Sequence, residues 1–169
     1  LKSDDVIRTI EAMKSFGASI NIQNPSNCFI TGIGLGGLVE PKTALEFGNS
    51  GTSARLIMGL SSSHPITTLF IGDSSLSMRP MRRVLKPLVN FGSSFSLRED
   101  EFLPAILKGS VNPIPFIFNL NEPSAQIKSA VLLGALNTPG TTIVRDQFNT
   151  RDHTEKLLEL YGANISVKR

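Results

Sequence analysis

The sequence predicts an α/β fold made of compact repeated subdomains, and three observations carry that expectation. Five segments place apolar residues at helical spacing, short β-branched or alternating runs separate them, and stretches far apart in the chain resemble one another. The repeated unit reads helix, strand, helix, strand and recurs after about 70 to 75 residues, longer than solenoid periods.

The first helix sets Val6, Ile7, Ile10, Met13 and Phe16 on one face, with Ser3 or Asp4 as its cap and Gly17 as its stop. A strand follows at Ile20-Asn21-Ile22. The second helix covers residues 51–60 and leads to a strand over 67–71. The third spans 77–91, with Pro80 in its first turn, where a missing N–H costs nothing, and Pro87 further in, which should bend it or end it early. Strands at Phe95-Ser96-Leu97 and over 114–120 come next. The fourth helix covers 124–136 and precedes a strand over 141–144. The fifth, over 151–161, has Thr150 as its cap and leads to a last strand at Ile165-Ser166-Val167.

The repeat shows in matched details. Three units close with Phe16-Gly17-Ala18, Phe91-Gly92-Ser93 and Tyr161-Gly162-Ala163. Leu56-Ile57-Met58-Gly59 lies over Val131-Leu132-Leu133-Gly134, Asp73 over Asp146, and Arg79 over Arg151. Crossovers between parallel strands are nearly always right-handed, so equivalent helices point the same way and their N-termini can gather at one end.

Composition excludes several classes. The 169 residues, 40% hydrophobic and 18% charged, suit one or two domains with real cores rather than a disordered chain. The longest apolar run, residues 130–136, is far below the roughly 18 residues of a membrane span, so no membrane partner is expected. A single cysteine, Cys28, excludes an internal disulfide framework and a cysteine-based zinc site, and points to a reducing, cytoplasmic setting. The net charge of +3 favours anionic partners mildly, but without a Lys/Arg run, any Trp or more than one Tyr, no nucleic acid is expected. The chain opens on Leu1-Lys2-Ser3 without Met and stops at Arg169 in what reads as a strand, so a piece of a longer protein is expected.

The helix starts are the informative places, because unpaired N–H groups and about half a positive charge attract anions there. The second helix is approached through Gly48-Asn49-Ser50-Gly51-Thr52-Ser53, with Arg55 on its first turn. The third opens Ser77-Met78-Arg79-Pro80-Met81-Arg82-Arg83, and three cations opposing the dipole need a reason. Arg79 is the best candidate for a bidentate anion clamp, while Arg82 or Arg83 fits a solvated face. The fourth opens Ser124-Ala125-Gln126, where Gln126 is out of keeping with an apolar helix unless it reaches a ligand. The fifth opens Thr150-Arg151-Asp152-His153. Together they suggest a site for a polyanionic small molecule.

Other patterns carry less. Gly32-Ile33-Gly34-Leu35-Gly36-Gly37 fits a dinucleotide fingerprint, but Leu38-Val39-Glu40-Pro41 after it does not open a helix. His64 and His153 lack partners at ligand spacing, so no metal is expected. No Ser-His-Asp arrangement stands out.

Four blocks, Gly48-Asn49-Ser50-Gly51-Thr52-Ser53-Ala54-Arg55, Gly72-Asp73-Ser74-Ser75-Leu76-Ser77-Met78-Arg79-Pro80, Ser124-Ala125-Gln126-Ile127-Lys128-Ser129 and Thr150-Arg151-Asp152-His153-Thr154-Glu155, resemble the 5-enolpyruvylshikimate-3-phosphate synthase family in order and spacing. The resemblance implies βαβαββ-type subdomains with parallel helices in an inverse-barrel domain, and substrates held between two such domains. It implies transfer of the enolpyruvyl group of phosphoenolpyruvate to the 5-hydroxyl of shikimate 3-phosphate, with release of phosphate, in aromatic amino-acid biosynthesis. No cofactor is implied, and the full-length protein is expected to be a monomer.

Carried over by motif, Gly51 offers its backbone to phosphoenolpyruvate and Arg79 binds that substrate's anionic end. Ser124, Ala125 and Gln126 hold shikimate 3-phosphate, and Arg151 reaches its phosphate. Asn49 and Arg55 steady the loop. Alanine at the Gly51 position confers glyphosate tolerance in the family, so glycine implies a sensitive enzyme. The family's N-terminal Lys-Ser motif and its second domain, with the proton-transfer residues, are not in these residues. The implied layout is therefore most of one domain: an incomplete first subdomain over 1–47 and repeats over 48–120 and 121–169. Alone it is expected to be inactive. Two alternatives are a UDP-N-acetylglucosamine enolpyruvyl transferase, whose reactive cysteine is replaced here by Ser74, and a non-catalytic anion-binding fragment.

Overall fold

The computed structural model describes residues 3–24 and 27–168; Leu1, Lys2 and Arg169 of the expected chain ends lie outside them. Its centre is one complete βαβαββ unit. Strand β3 (Leu45–Glu46) leads through helix α2 (Gly51–Ser61) to β4 (Thr67–Ile71), which lies parallel to β3. Helix α3 (Arg82–Leu88) then leads to β5 (Ser94–Arg98) and β6 (Phe102–Lys108). The sheet runs β3-β4-β6-β5, with β6 antiparallel to both neighbours. The pattern restarts with β7 (Ile117–Asn119), helix α4 (Ala125–Ala135), the parallel strand β8 (Ile143–Arg145) and helix α5 (His153–Leu160). Before the central unit stand helix α1 (Asp4–Ser15) and the antiparallel pair β1 (Ser19–Asn24) and β2 (Asn27–Thr31), an αββ end of the same unit.

The core lies between the helices and the inward face of the sheet. Phe47 and Phe70 stack with centroids 5.7 Å apart, and Phe91 meets Phe116 edge-on at 4.8 Å. Met58, Leu85, Leu88 and Leu107 are fully buried around them. The repeat explains how α2 and α4 meet. A Cβ on Gly59 would fall 2.5 Å from Ala130 Cα, and one on Gly134 would fall 3.0 Å from the Gly59 carbonyl oxygen. The two matched glycines thus let equivalent helices touch backbone to backbone, which sets their first turns side by side.

Several boundaries differ from expectation. The third helix starts at Arg82, not Ser77. A 3₁₀ turn, Leu76–Met78, comes first, and Arg79 is extended (φ −93°, ψ 135°) as a residue before proline prefers. Pro87 sits inside α3, which ends one residue later and tightens into the 3₁₀ turn Val89–Phe91. The fifth helix starts at His153, because Thr150 is fastened elsewhere and Asp152 occupies the cap position. The strand expected over 114–120 shrinks to Ile117–Asn119 behind Pro113 and Pro115. No strand forms at 165–167, where none of the described strands pairs with it.

Strands β2, β3 and β6 are not expected from the sequence. β6 buries Leu103, Ala105 and Leu107 and exposes Pro104, Ile106 and Lys108, a regular alternation. Pro104 argues against a central strand, yet it escapes the ladder. Pairing with β4 ends at Ala105, and the register against β5 jumps from Ala105 to Phe102.

Candidate functional site

Ser50 caps α2: its Oγ accepts from the Ser53 N–H at 3.3 Å and donates to Ser53 Oγ at 2.6 Å. Gly48, at φ +52°, turns the chain into that cap. Its carbonyl accepts from the Asp73 N–H at 2.9 Å, which ties the loop to the end of β4. The Asp73 carboxylate then accepts from the Leu76 N–H at 2.7 Å, shaping the turn that delivers Arg79. At the start of α4, Ser124 Oγ accepts from the Ile127 N–H at 3.3 Å.

These elements converge on one cavity of about 360 Å³. Asn49, Gly51 and Thr52 of the α2 start line it with Arg55, Arg79 and Gln126. Arg55 donates to Gln126 Oε1 at 2.9 Å and to the Pro80 carbonyl at 3.2 Å. Gln126 Nε2 donates to Thr52 Oγ1 at 2.9 Å. Arg79 donates to Asn49 Oδ1 and, at 3.4 Å, to Ser75 Oγ. Gln126 therefore has protein partners that explain it without a ligand.

Two acids, Asp4 and Asp5, line the cavity together with Arg55 and Arg79, but not at pairing distance from them. Among the described residues neither Arg55 nor Arg79 has a carboxylate at ion-pair distance, whereas Arg83 pairs with Glu122 at 3.1 Å and Arg82 with Asp100. Burial, then the charges of Arg83 and Arg79, push the Arg55 guanidinium below its ordinary value; it still keeps its proton. Its Nε is buried without a partner. Two half-buried guanidiniums held by neutral oxygens form a place where an anion relieves mutual repulsion.

Gly51 contributes space more than a donor. Its N–H donates to the Asn49 carbonyl at 2.9 Å. A Cβ there would stand 3.0 Å from Arg55 Nη1 and 3.3 Å from Arg79 Nη1. Ser124, Ala125 and Arg151 do not line this cavity. Ser124 is buried by its capping role, Ala125 is half-buried, and Arg151 is exposed just before α5 rather than within it.

Sequence reasoning missed two sets of residues. Asp4 and Asp5, at the start of α1, also line the cavity; Asp4 is held by Arg8 at 3.3 Å. Lys128 is 4% exposed and makes ion pairs with Asp146 at 3.1 Å and Glu155 at 2.7 Å. A lysine on the inner face of an apolar helix, with an aspartate matched by the repeat to Asp73, was the available signal.

Among the described residues no helix is long and apolar enough to cross a membrane, and no three His, Cys, Asp or Glu side chains group to hold a metal.

The family model for EPSP synthase (3-phosphoshikimate 1-carboxyvinyltransferase) matches residues 1–169. The chain is 49% identical over 168 residues to the 3-phosphoshikimate 1-carboxyvinyltransferase of Parvibaculum lavamentivorans, and 50% identical over 168 to that of Zymomonas mobilis. Each match covers 99% of this chain and 37% of the relative, so the chain spans little over a third of the relatives' length. EPSP synthase from Acinetobacter baumannii superposes with a TM-score of 0.94 at 36% identity, over 99% of this chain and 38% of that one. The enolpyruvyl transferase NikO from Streptomyces tendae, at 17% identity and TM-score 0.58 over 95% of this chain and 36% of that one, shares the fold.

Proposed function

This chain belongs to the EPSP synthase family, and on that premise we propose that the full-length protein joins phosphoenolpyruvate to the 5-hydroxyl of shikimate 3-phosphate. A bond from C2 to the 5-oxygen forms, the C2–O bond to the leaving phosphate breaks, and the proton of the 5-hydroxyl ends on the released phosphate. Both substrates are small, multiply charged anions, and each carries a phosphate. The observation that carries the reading is the cavity that Arg55 and Arg79 line beside Gly51 and Gln126, where among the described residues neither arginine has a carboxylate at ion-pair distance.

In this reading Arg79 exchanges its bond to Asn49 for the anionic end of phosphoenolpyruvate, a charge-assisted and bidentate contact. Gly51 leaves room for that substrate between the two guanidiniums. Gln126, held by Arg55 and Thr52, presents its amide between the two substrates. Shikimate 3-phosphate lies along the start of α4, at Ser124 and Ala125, with Arg151 at its phosphate. Proton-transfer residues come from the partner domain, and residues 1–169 form most of one domain: an incomplete first subdomain over 1–47 and repeats over 48–120 and 121–169. The full-length protein works as a cytoplasmic monomer without a cofactor, and glyphosate inhibits it. The family match favours this reading over a UDP-N-acetylglucosamine enolpyruvyl transferase.

Steady-state assay of the full-length protein with both substrates tests the reading. Phosphate release that requires shikimate 3-phosphate supports it. Release with UDP-N-acetylglucosamine instead, or with neither acceptor, overturns it.

A further inference from the structure

The ammonium of Lys128 has three N–H donors and three acceptors, each from a different piece of chain. It donates to Asp146 Oδ2 just after β8 at 3.1 Å, to the Thr150 carbonyl in the next loop at 3.2 Å, and to Glu155 Oε1 in α5 at 2.7 Å. Asp146 in turn accepts from the Thr150 N–H at 2.9 Å, Thr150 Oγ1 at 2.7 Å and the Phe148 N–H at 2.9 Å. At the next residue, Ser129 Oγ meets Thr154 Oγ1 at 2.6 Å. The loop over 146–150 is thus closed on itself by Asp146 and fastened to α4 by Lys128. Arg151 is the next residue and is exposed. Lys128 stands one turn beyond Ser124-Ala125-Gln126 on the same helix.

We propose that Lys128 and Asp146 are positioning residues that fix the spacing between the start of α4 and Arg151, and so set affinity for shikimate 3-phosphate. This rests on the functional reading above. The strut touches no substrate: it holds the two protein segments that do. A lysine suits it because an ammonium sends three bonds in tetrahedral directions, whereas a planar guanidinium cannot reach the same three acceptors. Phosphoenolpyruvate, gripped by Arg79 on the other side of Gln126, lies outside its influence.

The test uses the full-length protein with Lys128→Met, Asp146→Asn and, as a control for lost stability alone, Leu107→Ala in the core of the sheet. KM for each substrate and amide hydrogen exchange over residues 147–153 without substrate are measured. Both strut variants should raise KM for shikimate 3-phosphate about tenfold, the worth of one displaced charged hydrogen bond. KM for phosphoenolpyruvate should stay within about twofold, and exchange over 147–153 should quicken at least about tenfold, as a locally opened segment requires. Leu107→Ala should lower the melting temperature and move neither reading. Equal rises in both KM values, a comparable rise in Leu107→Ala, or unchanged exchange over 147–153 would overturn the strut. If Lys128→Met does not fold, Asp146→Asn decides alone. Absence of turnover by the wild type counts against the functional reading only, and the exchange arm still decides the strut.

Discussion

Two polar clusters flank the repeated helices, and they solve opposite problems. By the match that puts Gly59 over Gly134, Ser53 of α2 corresponds to Lys128 of α4. Ser53 ties α2 to α1, through the Asp5 carbonyl at 3.1 Å and Thr9 Oγ1 at 2.7 Å. Lys128 ties α4 to α5 and the loop before it, through a cluster whose charges are paired. Near this joint, however, Arg55 and Arg79 line an open cavity, and among the described residues neither has an acid at ion-pair distance. The same repeat position therefore serves a finished structural joint in one unit and borders an unfinished electrostatic site in the other. Two guanidiniums held only by neutral oxygens are an arrangement that a bound anion can complete.

The sharpest way to break this comparison is Arg79→Ala in the full-length protein. If the cavity is completed by phosphoenolpyruvate, kcat/KM for that substrate should fall on the order of 100-fold, as when an anion-stabilising donor is lost, with the melting temperature unchanged. A loss of stability without a loss of activity would place Arg79 among the structural joints.

Next comes the close contact between α2 and α4. Gly134→Ala pushes a methyl against the Gly59 carbonyl and Phe91, so it should cost up to about 3 kcal/mol in urea unfolding. An unchanged midpoint would mean that α2 and α4 can part without cost.

The paired cluster makes a pH prediction. Burial alone would raise the Asp146 carboxyl, but donors from Thr150, Lys128 and Phe148 outweigh it and bring it down from 3.8 to about 2. A depressed acid stabilises the fold fully above its unfolded value. That contribution, roughly 2 kcal/mol, is lost as the pH falls from near 3.8 through about 2. Asp146→Asn should remove this part of the acid sensitivity; identical acid unfolding profiles would contradict the pairing. Burial would lower the Lys128 ammonium, but Glu155 and Asp146 raise it, so its share persists below pH 10.5 and fades only above.

The smallest effect belongs to Gly51→Ala. The added methyl meets the ends of two flexible arginines, at 3.0 and 3.3 Å, rather than backbone. KM for phosphoenolpyruvate should rise less than about tenfold, since side-chain ends can give way, while inhibition by the longer glyphosate weakens more. Equal effects on both would move Gly51 away from the substrate's end.

Much of this was legible in the residues. The unit and its matched glycines show because a Cβ at either position would crowd the packed neighbours, so both positions keep glycine. Gly51, Arg79 and Gln126 could be grouped because helix starts with anion-seeking side chains share a chemistry that sequence displays. What stayed hidden depended on partners distant in the chain. The start of α3 depended on an extended Arg79 before Pro80, and β6 on a register jump that shelters Pro104. The role of Lys128 depended on Asp146 and Glu155, 18 and 27 residues away, folding back onto one buried nitrogen. Arg151 reads as a cation on a helix start, but the fastening of Thr150 sets it just outside.

The central claim is that Arg55 and Arg79 lack acid partners because a substrate supplies them. A crystal structure of the full-length protein with shikimate 3-phosphate and phosphoenolpyruvate tests it directly. The expected result is the acid group of phosphoenolpyruvate within hydrogen-bond distance of Arg79 in the cavity beside Gly51 and Gln126. A ligand bound elsewhere, with Arg79 still on Asn49 and the cavity holding only solvent, would contradict it.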